Sequence, residues 1–421
     1  MRVVIVGAGH AGVQAAESLR DEGFEGGIVL LDRDTRLPYQ RPPLSKDGLA
    51  SGDEPLPLRG ADFYERRGIE LRLGQELRGI DPGARAVELE DARGERSNIT
   101  YDELVLAVGA PARRLRCGDV EPADVHVLRT ADDAEALRGR LEAAEGVVVV
   151  GGGFIGLEFA AVAATKGKRV TLLSRGPRVL GHSASATVAD WLTAHLRAAG
   201  VEFEFGVDGL DVEAGPDAQL ASVCDEAGRA WPADLVVAGI GVDDCPTFRE
   251  VAGAAGLPVD GGIIVDASLR TSLPGIWAIG DIARFPDARG ELQRIESVQN
   301  ATEQGRHVAH AIVHGASDYD EVPWFWSIQA GAKLQIAGQV PPARPGASAA
   351  VDEVVLGEPA AGKFSVLRFV GERLVCVESV NKPVDHVAAR KLLASPAAAS
   401  VTPALAAAEA FTLKSALTLV P

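Results

Sequence analysis

Cysteine is scarce in this chain. Four occur in 421 residues, Cys117, Cys224, Cys245 and Cys376, and residues 1 to 110 contain none. No two form a C-x-x-C pair, so neither a disulfide framework nor a zinc site is expected. Thiol-based redox chemistry in the N-terminal segment is disfavoured for the same reason. Long apolar runs are also missing. Nothing approaches the roughly 18 residues that mark a membrane span, because VVVV at 147 to 150 is cut short by GGG. The N-terminus, MRVVIVGAG, passes from one arginine straight into a strand-like run and a glycine turn. It has neither the apolar stretch nor the cleavage site of a secretory signal. A cytoplasmic protein without membrane contact is therefore expected. Positive charge is in deficit too. The net charge of −17 argues against nucleic acid as a general partner.

What is present is apolar residue and glycine. With 47% hydrophobic residues there is enough to build several cores, and about two to four domains are expected at this length. Two segments resemble each other. VVIVGAGHAGVQAAESLRDEGFEGGIVLLD spans residues 3 to 32, and VVVVGGGFIGLEFAAVAATKGKRVTLLSR spans 147 to 175. Each is a β-branched strand, a G-x-G-x-x-G turn, an Ala-rich helix and a second strand. One such motif alone is a weak signal, whereas two in full βαβ context point to two dinucleotide sites. The glycines have separate jobs. Gly7 permits the tight turn, Gly9 lets a pyrophosphate approach the backbone, and Gly12 lets the helix pack close to the strand. Gly151, Gly153 and Gly156 repeat the pattern. The helix start then offers free N–H groups and its positive dipole end to phosphate.

The two second strands end differently. The first ends in Asp32, 25 residues after Gly7. A carboxylate there can accept hydrogen bonds from ribose hydroxyls; the plainer alternative is a solvated turn residue. The second ends in Ser174 and Arg175. An acid at position 174 would repel the 2′-phosphate of NADPH, and none is present. Ser174 can hydrogen-bond that phosphate, and Arg175 or Arg178 can pair with it. The expected donor is NADH or NADPH, with NADPH slightly favoured. The alternative is that the arginines face solvent and NADH remains the donor.

Elsewhere, ITYDELVLAVGAPAR (99 to 113), ADLVVAGIGV (233 to 242) and PGIWAIGDIARF (274 to 285) predict buried strands running into glycine turns. Residues 290 to 314 predict a helix. VPWFWSIQ, KLQIAGQV, KFSVLRF and RLVCVESV predict strands, and Ala-rich helical segments follow over 386 to 417. This pattern suggests a separate C-terminal α+β domain.

RPPLSK (41 to 46), GGGFIGLE (151 to 158), GIWAIGD (275 to 281), IESVQNA (295 to 301) and VPWFWS (322 to 327) carry a whole-chain resemblance. It is to the FAD-dependent ferredoxin reductases of bacterial oxygenase systems, of the putidaredoxin reductase and biphenyl dioxygenase reductase kind. The resemblance implies an α/β, glutathione-reductase-like flavoprotein with two dinucleotide-binding domains and a C-terminal α+β domain. Residues 1–110 and 243–317 would form a discontinuous FAD domain, 111–242 an NAD(P) domain and 318–421 the C-terminal domain. It implies electron flow from NAD(P)H through FAD to a [2Fe–2S] ferredoxin that serves a cytochrome P450 or a ring-hydroxylating oxygenase. A monomer or weak homodimer is expected.

Carried over by motif, Gly7, Gly9, Ala11 and Gly12 would line the FAD pyrophosphate, with Asp32 and Arg33 by the adenosine ribose. Leu77 would touch the adenine. Arg41, Ala107, Gly109 and Arg129 would contact FAD, Asp281 would bind the ribityl chain, and Val298 would lie near the isoalloxazine edge. Ile155, Gly241 and the second glycine set would serve NAD(P). Lys46 would reach the flavin ring, and Glu158 would neutralise that lysine and help seat the nicotinamide. These two are the candidate catalytic residues. Their plainer alternatives are a loop-surface lysine and a helix-surface acid. Trp324 and Trp326 are expected to be core aromatics, with a flavin-side or docking surface as the alternative. The family usually has Asp after WS, where this chain has Ile328, a departure that bears on the partner surface rather than on the flavin. His307, His310 and His314 have helical spacing but no evident carboxylate or cysteine to complete a metal site, so a solvated face is expected.

Two further function classes stand beside the reductase. One is an NAD(P)H oxidase, or a disulfide or peroxide reductase on the same fold, whose thiol versions the missing N-terminal cysteines disfavour. The other is an apoptosis-inducing-factor-like redox sensor.

Overall fold

The structure, a computed structural model, describes residues 1–116, 125–214, 220–243, 246–341 and 351–419. Cys117 and Cys245 lie outside these, while Cys224 and Cys376 are free thiols. The chain divides into two compact units. One comprises Met1–Gln40, Pro55–Pro111 and Val242–Glu321; the other comprises Arg41–Glu54, Ala112–Gly241 and Val322–Pro421.

The first unit is built on a five-stranded parallel sheet. Its order is Ile276–Ala278, Glu103–Leu106, Arg2–Val6, Gly27–Leu31, Ile69–Arg72. Val3, Val4 and Ile5 are wholly buried. A central parallel strand is covered on both faces, so it needs an unbroken apolar run rather than alternation. Helix His10–Asp21 crosses back over this sheet. Helix Val298–His314 packs on it so closely that a Cβ on Gly305 would meet the carbonyl of Ala11 at 2.6 Å. That helix starts later than the sequence suggests. Residues 290–297 do not join it, because Leu292–Gln293 pairs with Ala283–Pro286 and the Ser297 hydroxyl caps the helix at Asn300 N–H. The helix expected over 290–314 therefore begins at Val298, where the cap residue Ser297 marks its boundary.

The second unit holds the other repeat. Its parallel sheet runs Val201–Phe205, Arg169–Ser174, Gly146–Val150, Leu235–Ala238, Val125–His126. Helix Phe154–Thr165 follows the glycine turn. A five-stranded antiparallel sheet is formed by the C-terminal residues, in the order Trp324–Gln329, Ala332–Gly338, Arg373–Val380, Lys363–Val370, Val351–Glu358. The last of these was not legible in the sequence. It is a mostly exposed edge strand, VDEVVLGE, and charged residues on an edge discourage pairing with other chains. Helix Pro383–Leu393 covers the sheet through Ala388, Ala389 and Leu392. Among the described residues no helix is long and apolar enough to cross a membrane.

Candidate functional site

The first glycine loop follows Val6. Gly7 has a φ of +104°, and a Cβ on it would lie 2.3 Å from the carbonyl oxygen of Ala107. A Cβ on Gly12 would lie 1.9 Å from the Gly7 carbonyl oxygen, whereas one on Gly9 would meet nothing within 4 Å. Two glycines are thus demanded by packing, and Gly9 faces open space of the kind a phosphate needs. Gly9 caps helix His10–Asp21 without any side-chain hydrogen bond, so the first-turn N–H groups are left for a ligand. The Asp32 carboxylate accepts from Ala8 N–H at 2.6 Å and from Asp34 N–H at 2.9 Å. It braces the loop and retains lone pairs for hydroxyls. Arg33 is exposed beside it.

The remaining residues expected at FAD are distributed through both units. In the first unit, Ala11 is buried on the helix, and Gly280, beside Asp281, sits against it, its Cβ position 3.1 Å from the Ala11 methyl. Val298 is the first residue of helix Val298–His314. Gly109 turns the chain at φ +70° after the strand that ends near Ala107. Leu77 is buried at a bulge in strand Gln75–Asp81. In the second unit, Arg41 donates from Nη1 to the carbonyl of Arg129 at 2.7 Å.

The second loop repeats the first. Gly151 has a φ of +111°, with its Cβ position 2.4 Å from the Gly239 carbonyl oxygen. That of Gly156 lies 2.2 Å from the Gly151 carbonyl oxygen, and that of Gly153 lies 3.5 Å from Gly239 O. Ser174 closes strand Arg169–Ser174 and is buried, and Arg175 after it is exposed. Ile155 is exposed on the helix, and Gly241 has φ +94° and accepts from Arg113 N–H.

Glu158 is neither at the helix surface nor alone. It is 2% exposed. The Lys46 ammonium donates to its Oε2 at 2.7 Å, and the Ser45 hydroxyl donates to the same oxygen at 2.5 Å. Ser327 donates to Oε1 at 2.6 Å, and Gln329 Nε2 donates to Ser327 Oγ at 2.9 Å. A buried carboxylate needs such partners, since an ionised group out of water is otherwise costly. Lys46 is held further by the Pro42 carbonyl at 3.2 Å. The local turn Pro42–Ser45 explains the geometry. Two prolines fix φ and set Ser45 and Lys46 on one side of a tight 3₁₀ turn. Sequence reasoning found Lys46 and Glu158 but missed Ser45, Ser327 and Gln329. Ser45 stands in RPPLSK and Ser327 in VPWFWS, yet neither a turn serine nor a strand serine carries a signal of its own.

Two expectations are corrected. Trp324 and Trp326 are half-buried rather than core. Their rings lie 5.5 Å apart, and the Arg390 guanidinium sits 4.1 Å from the Trp324 ring centre, a cation–π contact that needs an open face. Ile328, on the same strand, is 43% exposed. The histidine row does meet a carboxylate. Glu22, on the adjoining helix end, accepts from His314 Nε2 at 2.9 Å and lies 3.5 Å from His310 Nδ1. Ligand atoms of the three lie within 4.8 Å of one another. The partner came from a different helix, which spacing along one segment could not reveal.

Residues 1–305 match the pyridine nucleotide-disulphide oxidoreductase family, and 324–417 match the reductase C-terminal family. The chain is 42% identical to rhodocoxin reductase of Rhodococcus erythropolis over 420 residues, covering 99% of this chain and 94% of that one. It is 40% identical to putidaredoxin reductase of Pseudomonas putida over 401 residues, 93% of this chain and 91% of that one. A crystal structure of the ferredoxin reductase for the CYP199A2 system of Rhodopseudomonas palustris superposes with a TM-score of 0.91 at 42% identity, covering 99% and 100% of the two chains. The reductase chain in a covalent putidaredoxin reductase–putidaredoxin complex gives 0.88 at 36%, covering 99% and 98%. Two glycine-anchored βαβ units, an ion pair between Lys46 and the buried Glu158, and these likenesses together place the chain in the pyridine nucleotide-disulphide oxidoreductase family, among oxidoreductases that carry a reductase C-terminal domain.

Proposed function

We propose that this protein is an FAD-dependent NAD(P)H:ferredoxin oxidoreductase. Its acceptor is a [2Fe–2S] ferredoxin that feeds a cytochrome P450 or a ring-hydroxylating oxygenase. The observation that carries the reading is the doubled loop: in each copy two sterically demanded glycines flank a middle glycine at a helix start, with nothing within 4 Å of a Cβ at Gly9 and one ordinary contact, at 3.5 Å, at Gly153. The names of relatives from P450 and dioxygenase systems support the acceptor class.

Residues 1–110 and 243–317 hold FAD in this reading, 111–242 hold NAD(P)H, and 318–421 form the C-terminal domain. Held by these residues, FAD would supply the redox chemistry that couples a two-electron hydride donor to a one-electron acceptor. The protein supplies orientation and charge. Gly7, Gly9, Ala11 and Gly12 admit the FAD pyrophosphate, while Asp32 accepts from the ribose, flanked by Arg33. Arg41, Leu77, Ala107, Gly109, Arg129, Asp281, Val298 and Trp326 complete the flavin contacts. Gly151, Gly153, Ile155, Gly156 and Gly241 serve the donor. Lys46 supplies the cation that balances negative charge on the reduced ring, and Glu158 holds that cation in place. The donor is NADH or NADPH, with NADPH slightly favoured, because no carboxylate ends strand Arg169–Ser174 and Arg175 is exposed there.

Purified protein is expected to be yellow and to release FAD on denaturation. Cytochrome c reduction by NAD(P)H should then depend on added ferredoxin. Material that stays colourless after reconstitution with FAD would refute the reading. Slow turnover with a long-lived reduced complex and a change of oligomer state would favour the sensor class instead.

A further inference from the structure

The Lys46–Glu158 pair is not self-sufficient. Its carboxylate is clamped from two sides. Oε2 takes both donors of the 41–54 segment, Ser45 and Lys46, while Oε1 takes the hydroxyl of Ser327 from the C-terminal sheet. Ser327 is wholly buried, and Gln329 is 1% exposed. A serine hydroxyl has one proton and two lone pairs. Gln329 Nε2 donates into one lone pair at 2.9 Å, and the single proton is directed at Glu158. The two residues stand two apart on strand Trp324–Gln329, so the pleat places them on the same face.

We propose that Ser327, oriented by Gln329, is a positioning residue for hydride transfer. It fixes the plane of the Glu158 carboxylate and thereby the direction of the Lys46 ammonium. The C-terminal domain would then contribute a group to the reductive half-reaction in addition to any role it has toward the acceptor. The inference rests on the proposed function of Lys46 and Glu158.

Two measurements test it, and one needs neither flavin nor donor. In the apoprotein, acylation of Lys46 by an amine-reactive reagent is read by mass spectrometry. Ser327→Ala should raise labelling of Lys46 several-fold, because the carboxylate is no longer held against it. Ser327→Thr, which keeps the hydroxyl, should restore protection. Gln329→Leu should give an intermediate result. Ser365→Ala, at an equally buried serine of the same sheet, should change nothing. In the holoenzyme, stopped-flow flavin reduction at saturating donor should slow about tenfold or more in Ser327→Ala. The donor concentration at half-saturation should stay near wild type, and the long-wavelength charge-transfer absorbance of the reduced complex should weaken. Melting temperatures check that each variant is folded. Should Ser327→Thr fail to fold, Gln329→Leu carries the test. Unchanged labelling and unchanged reduction in folded Ser327→Ala would overturn the proposal. Altered labelling in a protein whose wild type is never reduced by NAD(P)H would instead locate the failure in the proposed function.

Discussion

Leu31 pairs with Val6 and is followed by Asp32; Leu173 pairs with Val150 and is followed by Ser174. Gly7 N–H donates to Leu31 O, and Gly151 N–H donates to Leu173 O, each at 2.8 Å. Asp32 and Ser174 are therefore the same position of two copies of one unit. The steric frame is shared, down to the clash of the third motif glycine, Gly12 or Gly156, with the carbonyl of the first. What differs is what each copy presents and what covers its helix. The first presents a carboxylate and is covered by helix Val298–His314 through Gly305. The second presents a hydroxyl followed by an arginine, and its helix meets the C-terminal strand, where the Phe154 and Phe325 rings lie 4.3 Å apart. Packing constrains the frame of the unit, and in the proposed reading ligand choice sits in a few residues at the end of its second strand.

The frame can be broken one copy at a time. Gly12→Val would drive a side chain into the Gly7 carbonyl, and the purified protein should be essentially free of flavin by its 450 nm absorbance. Gly156→Val makes the same collision at Gly151. It should keep its flavin and lose reduction by NAD(P)H, while chemical reduction by dithionite survives. If both variants lose flavin equally, the copies do not have separate occupants.

The presented residue comes next. Ser174→Asp makes the second copy resemble the first. Two like charges about 4 Å apart at an effective dielectric near 20 repel by about 4 kcal/mol, so kcat/KM for NADPH should fall roughly a thousandfold. The value for NADH should hold within a few-fold, and it serves as the internal control for folding. In the unaltered protein NADPH should perform at least as well as NADH. A strong NADH preference there would remove the argument for Arg175.

A smaller effect is expected one turn into each helix. Glu158 occupies the position that Gln14 holds in the first copy, each two residues after the last loop glycine. Glu158→Gln keeps the shape and removes the charge facing Lys46. Misplacement of a positioned group costs on the order of a hundredfold, and flavin reduction at saturating donor should slow by about that factor. The reciprocal change, Gln14→Glu, should leave the rate within about twofold.

The glycine frame was legible because its residues are dictated locally. Only Gly accepts a φ above +100° with a carbonyl under 2.5 Å from where a Cβ would sit. Lys46 and Glu158 were found through motif resemblance rather than through physics readable along the chain. Their closeness joins segments 112 positions apart. Ser327 lies 169 positions from Glu158, and Glu22 lies 292 from His314. No local period encodes such pairs. The edge strand Val351–Glu358 escaped because exposure removes the alternation that strand reading relies on. The late start of helix Val298–His314 escaped because Ser297 was read as part of the helix rather than as its cap.

The last contrast lies beneath the strand that covers the second copy. His386, on helix Pro383–Leu393, is buried with neither ring nitrogen hydrogen-bonded, and its ring packs edge-on to Trp324. Burial, reinforced by Arg390 and Lys333, pushes its pKa down to about 4, against roughly 6.5 in an unfolded chain. The folded state thus favours neutral His386, and between pH 6.5 and 4 the unfolded chain binds more protons. The stability this gives is complete above pH 6.5 and is lost as pH falls toward 4. Thermal unfolding at pH 7.5, 5.5 and 4.5 should show the wild-type melting temperature falling more steeply than that of His386→Leu, whose site cannot titrate. The slope carries the test, because the leucine variant can differ in absolute stability. Parallel slopes would show that His386 takes up its proton without cost to the folded state. Acid sensitivity would then arise elsewhere than on the helix beneath the second copy's covering strand.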